Sequence, residues 1–154
     1  MAAEHESLVR EIVDSHKDID GAALPILHAV QEALGFVPED AIPVIADALN
    51  ITRAEMHGVV TFYHDFRREP AGRHVLKLCR AEACQSAGGT FVAERIKKRL
   101  GVEFGETSAD GRVTLDAVYC LGLCATAPSA MLDGKLIGRI DPDRADSIVA
   151  EVNR

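Results

Sequence analysis

His74-Val-Leu-Lys-Leu-Cys79-Arg-Ala-Glu-Ala-Cys84 and Val113-Thr-Leu-Asp-Ala-Val-Tyr119-Cys120-Leu-Gly-Leu-Cys124 are the stretches that decide the fold of this chain. Each begins as a short run with strand character, and each strand runs directly into a cysteine. Between them Val92, Ile96 and Leu100 recur at helical spacing. Lys97, Lys98 and Arg99 fill the last turn and Gly101 lies beyond it, so a helix is predicted there. Strand, helix, strand predicts a parallel pair joined by a right-handed crossover. Parallel strands end on one edge of a sheet, so the loops after Cys79 and Cys120 are expected side by side, where open α/β sheets place ligands.

Working outward, Ala130-Met-Leu, Asp133-Gly134 and Lys135-Leu-Ile-Gly-Arg-Ile140 form a hairpin pattern around an Asp-Gly turn. Asp141-Pro142 supplies an N-cap and a proline at the first helical position, opening a last helix with Ala145, Ile148, Val149 and Val152 inward. The second half is thus an α/β unit with mixed strand directions.

The thiols are spaced Cys79-x4-Cys84, a gap of 35 residues, then Cys120-x3-Cys124. Cys79 and Cys84 would stand about 140° apart on one helix, so a loop is expected to bring them together. Gly122 permits positive φ in the second loop, and Gly88-Gly89 relaxes the first. Four readings are open at this point. A [2Fe–2S] cluster takes four thiolates in this two-plus-two pattern. Structural zinc also takes four thiolates, more often with two-residue gaps. Two disulfides would need an oxidising compartment. Inert buried cysteines are the remaining choice, and convergence of four on one edge speaks against it. The C-x-x-C of a thioredoxin-type redox pair is absent. A four-thiolate cluster gains negative charge on reduction, so Arg80 would favour the reduced form unless it is merely a solvated side chain, and Glu82 would oppose it. Backbone N–H groups of residues 81–86 and 121–126 are stronger candidates for setting a potential.

Upstream of Arg67-Arg68-Glu-Pro-Ala-Gly72, which has no apolar period and is expected to be a linker, the pattern turns wholly helical. Leu8, Val9, Ile12 and Val13 form one stripe, and Leu24, Leu27, Val30 and Leu34 a second, closed by Gly35. Pro38 is expected to open a third helix carrying Ile42, Ile45 and Leu49. Thr52-Arg-Ala-Glu55 fits a capping box for a fourth, reaching Phe66. Two domains are therefore expected, a helical bundle at 1–70 and a cysteine-bearing domain at 73–154. They divide the net charge of −7: residues 1–72 hold 13 acidic and 5 basic side chains, and residues 73–154 hold 11 and 12. This balance argues against a nucleic-acid partner, and no apolar run reaches the roughly 18 residues of a membrane helix. The start Met1-Ala-Ala-Glu-His-Glu has no secretory pattern, so a cytoplasmic location is expected.

Cys79-Arg-Ala-Glu-Ala-Cys84-Gln-Ser, Gly105-Glu-Thr-Ser-Ala-Asp-Gly111 and Cys120-Leu-Gly-Leu-Cys124-Ala-Thr-Ala-Pro128 resemble the thioredoxin-like [2Fe–2S] ferredoxin family. Leu24-Pro-Ile-Leu-His-Ala-Val-Gln-Glu-Ala-Leu-Gly-Phe-Val-Pro38 and His57-Gly-Val-Val-Thr-Phe-Tyr-His-Asp-Phe66 resemble its N-terminal helical segment. The resemblance implies a mixed four-stranded sheet with flanking helices and one [2Fe–2S] cluster on Cys79, Cys84, Cys120 and Cys124. It also implies a partner subunit that carries FMN and NAD and exchanges single electrons with that cluster. The family includes subunits of complex I, of NAD-reducing hydrogenases and of NAD-dependent formate dehydrogenases. Complex I members typically carry Thr-Gly after the first cysteine. Arg80-Ala81-Glu82-Ala83 followed by Gln85-Ser86 is more similar to the gamma subunit of molybdenum formate dehydrogenases. That implies a further, larger alpha-type subunit bearing molybdenum and iron–sulfur clusters. The alternative of different class is a zinc-stabilised interaction module.

Other tempting residues carry less. His57 and His64, seven apart, are expected on one helix face without a carboxylate pattern, which points to a structural or interfacial role. Phe62, Tyr63 and Phe66 suit core packing, or else docking on a flavin subunit. Ser86 and Ser129 lack His and Asp partners at a usable spacing, so no catalytic residue is assigned. Gly88-Gly89 lacks the lysine and hydroxyl of a phosphate loop.

Overall fold

The computed structural model describes residues 3–154, which divide into two compact units, the first ending at Pro70 and the second spanning Ala71–Arg154. The first unit is all-helical: α1 (Ala3–His16), α2 (Ala23–Leu34), α3 (Ala41–Ala48) and α4 (Arg53–Phe62). Its core closes over Val9, Ile26, Leu27, Ile45, Met56 and Val60, the apolar stripes of the four helices. Full burial of each such side chain is worth about 1.5–3 kcal/mol. Gly35 ends α2 at φ +81, donating its N–H to the Gln31 carbonyl at 2.7 Å. Thr52 and Glu55 form the reciprocal capping box that starts α4.

Two boundaries differ from the expectation. Helix α3 begins at Ala41 and not at Pro38, because Pro38–Asp40 form a preceding turn in which the Ala41 N–H reaches the Pro38 carbonyl at 3.0 Å. Helix α4 stops at Phe62, since Tyr63 turns extended at φ −88, ψ 102. His64 therefore lies outside the helix that carries His57, and both are exposed. Phe66 is buried against His28, with ring centroids 4.9 Å apart, whereas Phe62 is 73% exposed.

The second unit follows the order β1 (His74–Cys79), α5 (Glu82–Ser86), α6 (Gly89–Leu100), β2 (Glu106–Thr107), β3 (Val113–Val118), a 3₁₀ turn (Cys124–Thr126), β4 (Ala130–Leu132), β5 (Lys135–Ile137) and α7 (Pro142–Val152). The sheet order is β2-β3-β1-β4-β5. Strands β1 and β3 run parallel in a register that pairs His74 with Val113 and Cys79 with Val118, and the other pairings are antiparallel. The sheet therefore has five strands where four were expected. The extra one, β2, is two exposed residues with no alternation to betray it. Leu76, Leu78, Ile96, Leu115, Ile148 and Val149 meet in the core between sheet and helices. A paired Arg95 and Asp146, with 2.8 Å contacts, ties α6 to α7, and Arg95 holds the Asp146 carboxyl below its ordinary range. Asp141 caps α7 by accepting from the Arg144 N–H at 2.8 Å.

Candidate functional site

Because β1 and β3 end together, the chain leaves both strands at one edge of the sheet. The Arg80 N–H extends the pairing by donating to the Val118 carbonyl at 2.7 Å, and the Cys79 N–H donates to the Ser129 carbonyl at 3.0 Å. Cys79 is the last residue of β1. Cys84 lies in α5, a single helical turn that sequence periodicity is too short to reveal; the approach expected of a loop is made by a strand end and this turn. Helix α6 then starts so close to Cys84 that a β-carbon on Gly89 would stand 2.5 Å from the Cys84 carbonyl oxygen. Glycine is needed there by contact rather than by φ.

The four thiols fall into two pairs. Cys79 and Cys84 are buried, 5% and 1% exposed, and their side chains hydrogen-bond to one another. Cys120 and Cys124 are exposed, with sulfurs 3.6 Å apart. Two thiolates on one tetrahedral ion with bonds of ~2.3 Å stand about 3.8 Å apart, so the second pair is already spaced to share an ion. The pairs are also near enough that Cys79 and Cys84 both act electrostatically on Cys124. Among the described residues no group of three or more His, Cys, Asp or Glu side chains is close enough to hold a single ion. A two-plus-two donor set suits a binuclear cluster, in which each iron takes two thiolates.

The surroundings supply donors to sulfur. Burial opposes a charge on Cys79, but N–H groups of Ala81 and Leu121, the Cys84 thiol and the Ser129 hydroxyl outweigh it, and the Cys79 pKa lies below its ordinary value. The Ser129 hydroxyl, buried, stands 3.4 Å from the Cys84 sulfur. In the outer pair, the hydrogen bond with Cys120 and its charge, followed by burial and the other two cysteines, raise the Cys124 pKa. The Gly122 N–H donates to the Cys120 sulfur at 3.3 Å, from a residue with φ +75. Cys120 itself sits at φ +119, outside the comfortable range of a side-chain-bearing residue. Backbone strain of this kind costs on the order of 1–3 kcal/mol and persists where the surroundings over-determine it.

Ser129 is the contribution that spacing could not show. It stands 45 residues from Cys84, and its value lies in a hydroxyl aimed at sulfur, not in nucleophilic chemistry. Arg80 is also not simply a solvated side chain: its guanidinium lies 5.2 Å from the centre of the Phe104 ring.

Residues 9–153 match the family described as thioredoxin-like [2Fe–2S] ferredoxin. A subunit of the NADH-quinone oxidoreductase of Pseudomonas aeruginosa is 39% identical over 137 residues, covering 89% of this chain and 82% of that one. The HndA subunit of the NADP-reducing hydrogenase of Solidesulfovibrio fructosivorans is 32% identical over 149 residues, covering 95% and 87%. Among solved structures, an NAD⁺-reducing [NiFe]-hydrogenase in the air-oxidised state superimposes with a TM-score of 0.72 at 23% identity. That match takes in 85% of this chain and spans only 22% of the hydrogenase chain. With the match running over nearly its full length and through both cysteine pairs, the chain belongs to the thioredoxin-like [2Fe–2S] ferredoxin family, and its cofactor is one [2Fe–2S] cluster.

Proposed function

We propose that this protein is an electron-transfer subunit that holds its cluster through Cys79, Cys84, Cys120 and Cys124 and has no catalytic residue of its own. The observation that carries the reading is the two-plus-two grouping of the thiols, one pair buried and one exposed. When bound, a [2Fe–2S] cluster supplies a one-electron couple. The chain's own residues then have distinct tasks. Cys79 and Cys84 fix the inner ligands away from water. The N–H groups of Ala81, Leu121 and Gly122 and the Ser129 hydroxyl offset thiolate charge, which raises the potential. Cys120 and Cys124 lie on the exposed side, open to a partner's electron carrier.

The partner is inferred to be an FMN- and NAD-binding subunit of an NADH-type oxidoreductase complex. The NADH-quinone oxidoreductase and hydrogenase relatives support this reading. Within that class, Arg80-Ala81-Glu82-Ala83 favours a cytoplasmic NAD-dependent formate dehydrogenase with a molybdenum-bearing alpha-type subunit. No helix among the described residues is long and apolar enough to cross a membrane. Residues 1–70, which hold most of the acidic excess, are assigned to docking, and residues 73–154 to the cluster.

Purification of the native complex tests both levels. Brown protein with labile sulfide and a reduced-state paramagnetic signal from this subunit is expected; a colourless subunit with one zinc would overturn electron transfer. Molybdenum and formate-dependent NAD⁺ reduction in the same preparation are expected. A nickel subunit or a membrane arm in their place would overturn the formate dehydrogenase assignment alone.

A further inference from the structure

One charged residue adjoining Cys79 in the chain is not among the proposed ligands. Arg80 follows Cys79 directly and its backbone is pinned by the hydrogen bond to Val118. Its guanidinium lies over the Phe104 ring, and its buried Nε meets no hydrogen-bond partner among the described residues. Phe104 is half-buried against the core of the second unit, so the ring is a fixed platform. Lys97 also approaches that ring, at 5.8 Å, but is engaged by Glu94 and Glu103 at 3.0 and 2.6 Å. Arg80 therefore places a permanent positive charge on the residue that follows Cys79, and stacking on Phe104 holds it where a solvated arginine would swing away.

We propose that Arg80, held by Phe104, is a positioning residue that favours the reduced state of the four-thiolate site. This rests on the electron-transfer reading above. Reduction adds one negative charge and brings no proton with it in this scheme, so a fixed cation stabilises the product more than the reactant. A half-buried charge is screened far less than an exposed one, which gives Arg80 an influence that surface lysines lack.

The test is a potentiometric titration of the cluster-loaded protein, read by the paramagnetic signal of the reduced state. R80Q is expected to lower the reduced-to-oxidised ratio at a fixed ambient potential about tenfold, equivalent to about 59 mV for one electron. R80K should restore more than half of the shift. F104L, which keeps the charge and removes its platform, should fall between wild type and R80Q. K98Q, which removes an exposed cation of α6, should match wild type. An unmoved potential in R80Q, or an equal shift in K98Q, would overturn the proposal. Should R80Q fail to load, F104L decides: a lower potential supports the proposal and an unmoved one overturns it. A wild-type preparation with neither labile sulfide nor signal would refute the electron-transfer reading itself, whereas a normal signal with an unmoved potential refutes only the role of Arg80.

Discussion

Cys79 and Cys84 are sealed between β1, α5 and the start of α6, whereas Cys120 and Cys124 stand exposed on a loop after β3. The inner pair is supported by a side-chain hydroxyl as well as by backbone, through Ser129. The outer pair relies on a strained loop, with Cys120 and Gly122 both at positive φ. One sheet edge thus offers two kinds of thiol as proposed ligands, one shielded from water and one accessible from outside. An electron carrier needs both: shielding keeps the cluster bound, and exposure shortens the path to a partner.

The largest effect should come from removing the proposed ligands, and it should be unequal. Cys79→Ala and Cys84→Ala leave a buried position that solvent cannot supply, so cluster content should fall close to zero. Cys120→Ala and Cys124→Ala open an exposed position that water can reach, so a fraction of the chains should still load, with an altered paramagnetic signal. Iron and labile sulfide per chain, measured on freshly purified protein, check this. Equal loss from all four substitutions would break the distinction between inner and outer pairs.

A smaller effect comes from the glycines that shape each side. In Gly89→Ala the new methyl would meet the Cys84 carbonyl at 2.5 Å. Overpacking of this type costs about 1–3 kcal/mol, and the relief is a shift of Cys84, so cluster loading should fall with the unfolding midpoint. At Gly122 a methyl group would meet nothing within 4 Å, and only the φ of +75 opposes it. That penalty is about 1–2 kcal/mol, spent in a loop that can adjust. Thermal unfolding alongside iron content separates the two, since Gly122→Ala should lower stability slightly and leave loading nearly intact. The opposite ranking would place the rigid support on the outer loop.

What could be read in the chain follows the range of the forces involved. The capping box at Thr52 and Glu55 and the helix ends at Gly35 and Gly101 are local effects, and their residues announce them, while the parallel β1/β3 pair follows from the strand–helix–strand order. The convergence of the thiols on one edge also followed, because strand order fixes where loops emerge. Helix α5 and strand β2 were not legible: five and two residues are too few for a period to register. The Phe62, Tyr63 and Phe66 cluster divided, with Phe66 buried and Phe62 exposed, because α4 ends between them. The contact of Ser129 with Cys84 and that of Phe104 with Arg80 were not legible for a different reason. Each acts on a residue far along the chain, through contacts that exist only once sheet and helices are packed.

The finest test of the contrast between the pairs is Ser129→Ala. The hydroxyl is buried, and Cys84 lies within hydrogen-bond range of it. Against a thiolate it must donate, and this donation is worth more when the site carries the extra electron. A neutral hydrogen bond contributes about 0.5–1.5 kcal/mol to stability, so the variant should fold and load. Only part of that energy differs between the redox states; a roughly threefold fall in the reduced-to-oxidised ratio, about 30 mV for one electron, is the expected shift. Among the described residues the outer pair shows no such hydroxyl to remove, and the donor to Cys120 is the Gly122 backbone N–H. If Ser129→Ala loads normally with a lower potential, the inner pair is where side chains tune the site. If it loads normally and the potential is unchanged, tuning rests with the backbone on both sides, and burial alone separates the two pairs.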